Sequence, residues 1–294
     1  RGVVCGGDFI QFLAINVQEI PAQKIISGIP VSFVAAAGRV GRTEDRRPGD
    51  FCQHHSGLVR RLAGADMIGI IDSGLGGLSI AKAIWQELPR VSTIYLADHE
   101  YFPYGNKSAS VINKRLIKIM DWLLKKNCQL IVIACNTITM ATIKSLRQRY
   151  PLPFIGTEPA VKQGGVVLVT PATAKSRGYR ELSRQYPVTT IPCPGLAEAI
   201  EAGADITNFL PPIPPLTKII VLGCTHYILV KERIQKIVGR KIEIIEPSAA
   251  IARQTRAVLT KENLLNAKKR VKRLFFTTGP TKRLRGIIFT RCSL

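Results

Sequence analysis

The chain has few of the features that assign a sequence to a membrane-bound or metal-binding class. No apolar run reaches the roughly 18 consecutive residues that a membrane-spanning helix needs, so we expect no membrane partner. Only four histidines are present among 294 residues, and none forms a zinc-type cluster with cysteine. We therefore predict a protein that binds no metal ion.

Cysteine occurs seven times, an odd number, in a chain long enough to build its own core. Disulfide frameworks are typical of much shorter secreted domains, and these cysteines are too widely spaced to resemble one. The pattern predicts free thiols in a reducing compartment, which places the protein in the cytoplasm. The seven are Cys5, Cys52, Cys128, Cys135, Cys193, Cys224 and Cys292.

Acidic residues are scarce, since 20 Asp and Glu stand against 42 Lys and Arg, for a formal net charge of +22. The excess is densest at 261–294, where ten basic residues accompany one acidic residue. Such a segment can bind the phosphates of nucleic acid, but a solvated helix face is the simpler interpretation. The densest run comprises Lys268, Lys269, Arg270, Lys272 and Arg273.

The first 66 residues show no helical or strand period and contain nine glycines, so we treat them as an extension of unknown structure. From Met67, runs rich in valine and isoleucine alternate with amphipathic stretches, the pattern of parallel strands joined by helices. The predicted class is α/β. Strands are predicted at 67–71, 92–97, 129–134, 165–169, 188–191, 218–222 and 242–245, and helices at 77–88, 108–127, 138–149, 174–185 and 228–238.

Two predicted strands end in the same way. LIVIACNT at 130–137 and IIVLGCTH at 219–226 each run from a buried strand into a small residue, a cysteine and two polar residues. A following helix can lower the pKa of such a cysteine from about 8.5 towards neutrality. The repetition suggests two related α/β halves that present Cys135 and Cys224 at strand carboxyl ends, where parallel sheets bind ligands.

A pair of thiols suits a reaction that inverts a carbon centre. One group must remove a proton from one face while the other delivers a proton to the opposite face, so both need similar pKa values. The GLGG turn at 74–77 lacks the spacing and the lysine of a phosphate-binding loop, and a tight turn explains it better.

Six motifs in order identify a family: DSGLGG at 72–77, YLADHEYFPYG at 95–105, ACNT at 134–137, IGTEPA at 155–160, TPAT at 170–173 and GCTHY at 223–227. Over residues 67–260 the chain resembles the glutamate racemases. The resemblance implies a racemase without pyridoxal or another cofactor that interconverts L- and D-glutamate and supplies the D-isomer for peptidoglycan. It implies Cys135 and Cys224 as the proton acceptor and donor.

The resemblance also implies further site residues. Asp72 assists Cys135 and His226 assists Cys224, although a helix N-cap and a structural histidine are the alternatives for these two. Asp98 and Glu201 are candidate supporting residues. The implied substrate-binding set is Asp72, Ser73, Tyr104, Gly105, Asn136, Thr137, Thr225 and His226.

The family implies two similar domains with the active site in the cleft between them. The first is expected at 67–159 with a returning segment at 247–275, the second at 160–246, and a basic tail at 276–294. A homodimer is compatible with this arrangement.

Two alternatives stay open. A related racemase acting on aspartate or hydantoins would use the same thiol pair. The connectors after GTEPA and between Glu201 and Cys224 are shorter than in the family, so an inactive basic scaffold that binds nucleic acid is the second alternative.

Overall fold

A computed structural model of the chain describes residues 67–265, 271–280, 283–284 and 287–294. The predicted extension at 1–66 and the basic residues Lys268, Lys269 and Arg270 lie outside the described residues. Within the described part of the chain, no helix combines the length and the apolar character that crossing a membrane would require.

The first sheet has six parallel strands in the order β12-β9-β2-β1-β3-β4. On the central strand, Ile70 packs into the core on one face and Ile71 into the core on the other. A strand that is apolar on both sides is what a parallel sheet covered by helices requires. The strands are β1 (Met67–Asp72), β2 (Ser92–Ala97), β3 (Cys128–Ile133), β4 (Phe154–Gly156), β9 (Arg273–Thr277) and β12 (Thr290–Arg291).

The second sheet has four parallel strands in the order β6-β5-β7-β8. Leu168 and Val169, neighbours on β5, pack into separate cores on its two faces. The two sheets confirm the predicted α/β class. The strands are β5 (Gly165–Val169), β6 (Val188–Pro192), β7 (Ile219–Gly223) and β8 (Glu243–Ile245). A short antiparallel pair, β10 (Arg283–Leu284) and β11 (Ile287–Ile288), lies outside both sheets.

The helices follow the strands as crossover connections. Ser176 has an extended backbone (φ −68°, ψ 145°) and accepts the N–H of Tyr179, so it ends one helix and caps the next within the single helix predicted at 174–185. The helices are α1 (Leu78–Glu87), α2 (Ala109–Lys125), α3 (Asn136–Arg149), α4 (Pro171–Lys175), α5 (Arg177–Ser183), α6 (Leu196–Ala202), α7 (Thr225–Leu229), α8 (Lys231–Val238) and α9 (Ser248–Lys261).

The carboxyl-terminal residues differ from the separate basic tail expected at 276–294. β12 pairs with β9, which pairs with β2, so this segment extends the first sheet. The physical reason is apolar content: Phe289 is fully buried, and Cys292 and Leu294 pack against the core. The proposed boundaries at 159/160 and 246/247 stay a prediction.

Candidate active site

The polar edges of the two sheets face each other. Asp72 ends β1 of the first sheet, and Thr225 follows β7 of the second. The hydroxyl of Thr225 donates a hydrogen bond to Oδ2 of Asp72 over 3.1 Å, and the N–H of Leu75 donates to Oε2 of Glu201 over 3.1 Å. These bonds join the halves at the carboxyl ends of their strands, where parallel sheets place their ligands.

Cys135 lies in the N-cap position of α3 and is buried, with its thiol donating to the hydroxyl of Ser73 over 3.9 Å. Burial and the negative charge of Asp72 raise the pKa of Cys135, and the N–H of Ile138 opposes them only in part. The expectation of a lowered pKa is therefore wrong for Cys135 in this state. At neutral pH it is a protonated thiol.

Asn136 is the first residue of α3, and its side-chain amide is hydrogen-bonded at the nitrogen end. Its Nδ2 donates to the carbonyl of Thr157 over 3.0 Å. Its Oδ1 is buried and accepts no hydrogen bond from any described residue. A buried acceptor without a donor is unfavourable, so this oxygen is suited to receive an ammonium or amide N–H from a ligand.

Three threonine hydroxyls form a triangle where α3 meets α4. Oγ1 of Thr137 lies 3.0 Å from Oγ1 of both Thr170 and Thr173, which are 2.9 Å from each other. Gly105 packs against this group, since a Cβ there would lie 3.0 Å from the Cβ of Thr170. Thr170 and Thr173 belong to the TPAT motif but were not predicted as site residues, although Thr170 directly follows a strand as the predicted residues do.

The hydroxyl of Tyr104 donates to Asp98. The buried carboxylate of Asp98 also accepts from Nη2 of Arg115 and from the hydroxyl of Thr278, each over 2.6 Å. Asp98 thus fixes the ring of Tyr104 and the start of the loop that carries Gly105. Asp98 therefore supports the site indirectly, by fixing the backbone next to Gly105.

Cys224 lies in the N-cap position of α7, followed by Thr225 and His226. Nε2 of His226 is 2.8 Å from Oε2 of Glu201. Burial alone would lower the pKa of His226, but its hydrogen bonds with Cys224 and Glu201 raise it well above the usual value. His226 is therefore an imidazolium at neutral pH that can donate to the sulfur of Cys224 and to Glu201 together.

Asp72 directs its hydrogen bonds towards the Cys224 side. Its Oδ1 accepts the N–H of Gly74 over 3.0 Å and its Oδ2 accepts from Thr225. It acts on Cys135 through its charge. The alternative that Asp72 caps a helix is wrong, because Gly77 holds the N-cap position of α1.

Glu201, on α6, joins two histidines. Its Oε1 lies 2.8 Å from Nε2 of His99, and its Oε2 accepts from His226. Burial would raise the pKa of Glu201, but the hydrogen bonds from His226 and His99 hold it well below the usual value. The carboxylate is therefore ionised. His99 was missed by the sequence analysis, because nothing local marks a residue whose partner is 102 positions away.

The two thiols lie within electrostatic reach of each other. A negative charge on Cys224 is one of the causes that raise the pKa of Cys135. Cys135 is 5% exposed and Cys224 is 6% exposed, so both act in surroundings with little water. Charges interact more strongly in such surroundings. The protonation state of Cys224 therefore affects the pKa of Cys135.

A cavity of about 290 Å³ opens beside this site. Gly105 and Thr137 line it, Lys107 and Lys175 add positive charge, and neither catalytic candidate cysteine is part of its wall. We place the chemistry at the cysteines and not in the cavity, because the titratable groups with altered pKa values lie around the thiols.

Among the described residues, no group of three or more His, Cys, Asp or Glu side chains is arranged to hold a metal ion. The buried acid and histidine side chains instead satisfy one another, as Glu201 does with His99 and His226.

The backbone at Gly76 packs closely against the residues that follow Cys224, and this contact leads to a first prediction. A Cβ at Gly76 would lie 2.6 Å from both Nδ1 of His226 and Oγ1 of Thr225, so Gly76→Ala must displace the residues next to Cys224. We expect kcat to fall by about tenfold or more, because small displacements of catalytic groups have large kinetic effects. Steady-state kinetic assays measure this. Exposed Ser110→Ala is the control, and an unchanged kcat for Gly76→Ala would contradict the geometry.

Two parallel sheets, each with a buried cysteine beyond a strand and a helix N-terminus behind it, define an α/β protein with a two-thiol cleft. No family model matches the sequence. Curated relatives do. The glutamate racemase of Ectopseudomonas mendocina is 37% identical over 243 residues, which are 75% of this chain and 92% of the relative. That of Fusobacterium nucleatum is 38% identical over 237 residues, 73% of this chain and 89% of the relative. The chain belongs to the glutamate racemase family and is an amino-acid racemase, an isomerase.

Solved structures agree with this assignment. The glutamate racemase of Thermus thermophilus, in complex with β-chloro-D-alanine, has a TM-score of 0.65 at 28% identity and covers 73% of this chain and 88% of its own. The Escherichia coli enzyme, in complex with L-glutamate and the activator UDP-MurNAc-Ala, has a TM-score of 0.65 at 26% identity and covers 74% and 90%. The Francisella tularensis enzyme was solved with D-glutamate, and its TM-score is 0.64 at 28% identity.

Proposed function

We propose that the protein interconverts L- and D-glutamate by proton transfer between Cys135 and Cys224, without a cofactor, and so supplies D-glutamate for peptidoglycan synthesis. The observation that carries the proposal is the pair of buried cysteines at matched strand ends, one beside an imidazolium and the other held protonated. A chain of the glutamate racemase family that keeps both thiols has the acid and the base that inversion needs.

The two thiols have different surroundings. Interactions with Cys224 and Glu201 raise the pKa of His226, which places an imidazolium beside Cys224. Burial and the charge of Asp72 keep Cys135 as the thiol. The resting enzyme thus has an acid at Cys135 and a cationic partner for the second sulfur at His226.

The reaction requires two proton transfers at one carbon. The Cys224 thiolate takes the α-proton of one enantiomer, and the electron pair of the C–H bond delocalises into the α-carboxylate. Cys135 then gives its proton to the opposite face of the planar carbanion. The thiol and the thiolate have now exchanged places, and the reverse reaction starts from this state.

Groups near Cys135 suit the polar ends of glutamate. The free Oδ1 of Asn136 can accept from the substrate ammonium, and the hydroxyls of Ser73 and Thr137 can donate to a carboxylate. On the other side, Thr225 provides a further hydroxyl. Fixed donors around the α-carboxylate stabilise the negative charge that develops there. Gly105 and Tyr104 supply the facing loop.

The cavity next to Thr137 offers an approach for an anionic amino acid. Its two lysines, Lys107 and Lys175, give the opening a positive charge. Such charge raises the local concentration of an anionic substrate. This favours a substrate with two carboxylates, such as glutamate, over the neutral hydantoins.

The basic segment does not require a nucleic-acid partner. Arg273 begins β9, and its guanidinium lies 5.0 Å from the centre of the Trp85 ring, so part of the run belongs to the fold.

The five cysteines among the described residues are free thiols, which supports the proposed cytoplasmic location. A homodimer stays a prediction that sedimentation equilibrium would test.

A substrate panel tests the proposed activity. L-glutamate, L-aspartate and a 5-substituted hydantoin are each followed by polarimetry with the full chain. We expect turnover of glutamate with kcat/KM at least about 100-fold above the others, because an unpaired buried polar group in the pocket is strongly disfavoured. Faster turnover of aspartate or hydantoin would replace glutamate as the substrate, and no turnover of any would favour the inactive scaffold.

A further inference from the structure

A continuous line of hydrogen bonds runs from the first sheet to His226, the histidine beside the second thiol. Oγ1 of Thr277, the last residue of β9, lies 2.8 Å from Nδ1 of His99. Nε2 of His99 lies 2.8 Å from Oε1 of Glu201, whose other oxygen contacts His226 at 2.8 Å. An interaction with Cys224, two positions earlier in the chain, is among the causes that raise the pKa of His226. The side chains of both histidines and the glutamate are only 2–7% exposed.

The donors and acceptors in this line are compatible with one another. The ionised carboxylate of Glu201 can only accept, so Nε2 of His99 donates to it. Nδ1 of His99 and the hydroxyl of Thr277 share the hydrogen bond at the other end of the ring. The oxygen of Thr277 itself accepts the N–H of Gly279 over 3.2 Å. Each of these polar groups therefore has a hydrogen-bond partner.

His99, a residue of the first half, supplies a hydrogen bond to Glu201 in the second half. Glu201 lies on α6, a helix of seven residues, and only one of its oxygens is bound by His226. His99, which follows β2 of the first sheet, holds the other oxygen. With both oxygens fixed, the carboxylate cannot rotate away from His226.

We infer that His99 is a positioning residue for proton transfer at Cys224, holding Glu201 and, through it, the ring of His226 beside Cys224. The inference rests on the proposed two-thiol function. His99 bonds Glu201 and Thr277, and its ring packs edge-on to Phe289 at 6.5 Å, so its effect passes through Glu201 and not through the substrate.

The test compares the reactivity of the two thiols in the full chain. His99→Ala, His99→Gln and Thr277→Val are treated with iodoacetamide, and the alkylation rates at Cys224 and Cys135 are followed separately by peptide mass spectrometry. Alkylation reports the thiolate form, so it reads the state of each sulfur without requiring turnover. Steady-state kinetics and thermal unfolding are measured on the same variants.

For His99→Ala we expect alkylation of Cys224 to slow about tenfold while that of Cys135 stays within about twofold, because only Cys224 depends on His226. We expect kcat to fall about tenfold or more with KM within about threefold. His99→Gln keeps an N–H donor and should restore both to within about threefold.

Two results would overturn the inference. One is faster alkylation of both cysteines in His99→Ala, which indicates that His99 only holds the halves together. The other is an unchanged rate at Cys224. If His99→Ala does not fold, Thr277→Val decides, since loss of the bond to Nδ1 should still slow Cys224 selectively. Because alkylation needs no turnover, failure of the racemase proposal is recognised separately by the cysteine variants.

Discussion

Replacing either Cys135 or Cys224 by serine is expected to lower kcat by at least about 10³-fold, because each thiol is the proposed proton acceptor or donor on its face of the substrate. A serine hydroxyl fills nearly the same space but does not ionise near neutral pH. Folding should be unaffected by so small a change. D-glutamate formation from L-glutamate, measured by chiral chromatography, gives the result directly.

Cys193 provides the matched control for this experiment. It is buried like the other two, burial raises its pKa to about 12, and its thiol donates to the carbonyl of Ile191 over 3.6 Å. Cys193→Ser should keep kcat within about threefold, because a hydroxyl can make the same hydrogen bond. Unimpaired turnover in Cys135→Ser or Cys224→Ser would remove the two-thiol mechanism.

Asp98→Ala is expected to destabilise the fold by about 3–5 kcal/mol, because it leaves the buried guanidinium of Arg115 without its main partner. Thr278 and Tyr104 lose the same acceptor. At about 2–4 °C per kcal/mol for a protein of this size, Tm should fall by about 10 °C. Differential scanning calorimetry measures the change.

A double variant separates loss of the ion pair from loss of packing. Asp98→Ala with Arg115→Met removes both charges, and its Tm should lie above that of Asp98→Ala alone, because no unpaired charge is left in the core. A Tm for Asp98→Ala within about 2 °C of the parent would show that the network does not stabilise the protein.

Local sequence patterns were sufficient to predict most of the fold. The strand at 92–97 and the strand at 165–169 coincide with β2 and β5, because apolar runs that end at turn residues leave little freedom. The helix α9 (Ser248–Lys261) was not predicted, although Ile251, Ala252 and Leu259 give a helical apolar stripe. That signal was available in the sequence.

The site could be predicted only in part. Cys135 and Cys224 are found because each directly follows a strand, and the carboxyl ends of parallel strands collect at one edge. The link from His99 to Thr277, 178 positions apart, depends on β9 lying beside β2, a pairing that no local pattern determines. The raised pKa of Cys135 likewise depends on burial and on Asp72, which only the packed structure fixes.

Deuterium incorporation from heavy water tests the central claim that two thiols act on opposite faces of one carbon. L-glutamate is incubated with the enzyme in D₂O, and both enantiomers are separated and analysed by mass spectrometry early in the reaction. We predict deuterium at Cα of the D-glutamate formed and none in the remaining L-glutamate, because the acid that protonates the product differs from the base that took the proton. Equal deuterium in both enantiomers would show that one group serves both faces, and would contradict the account.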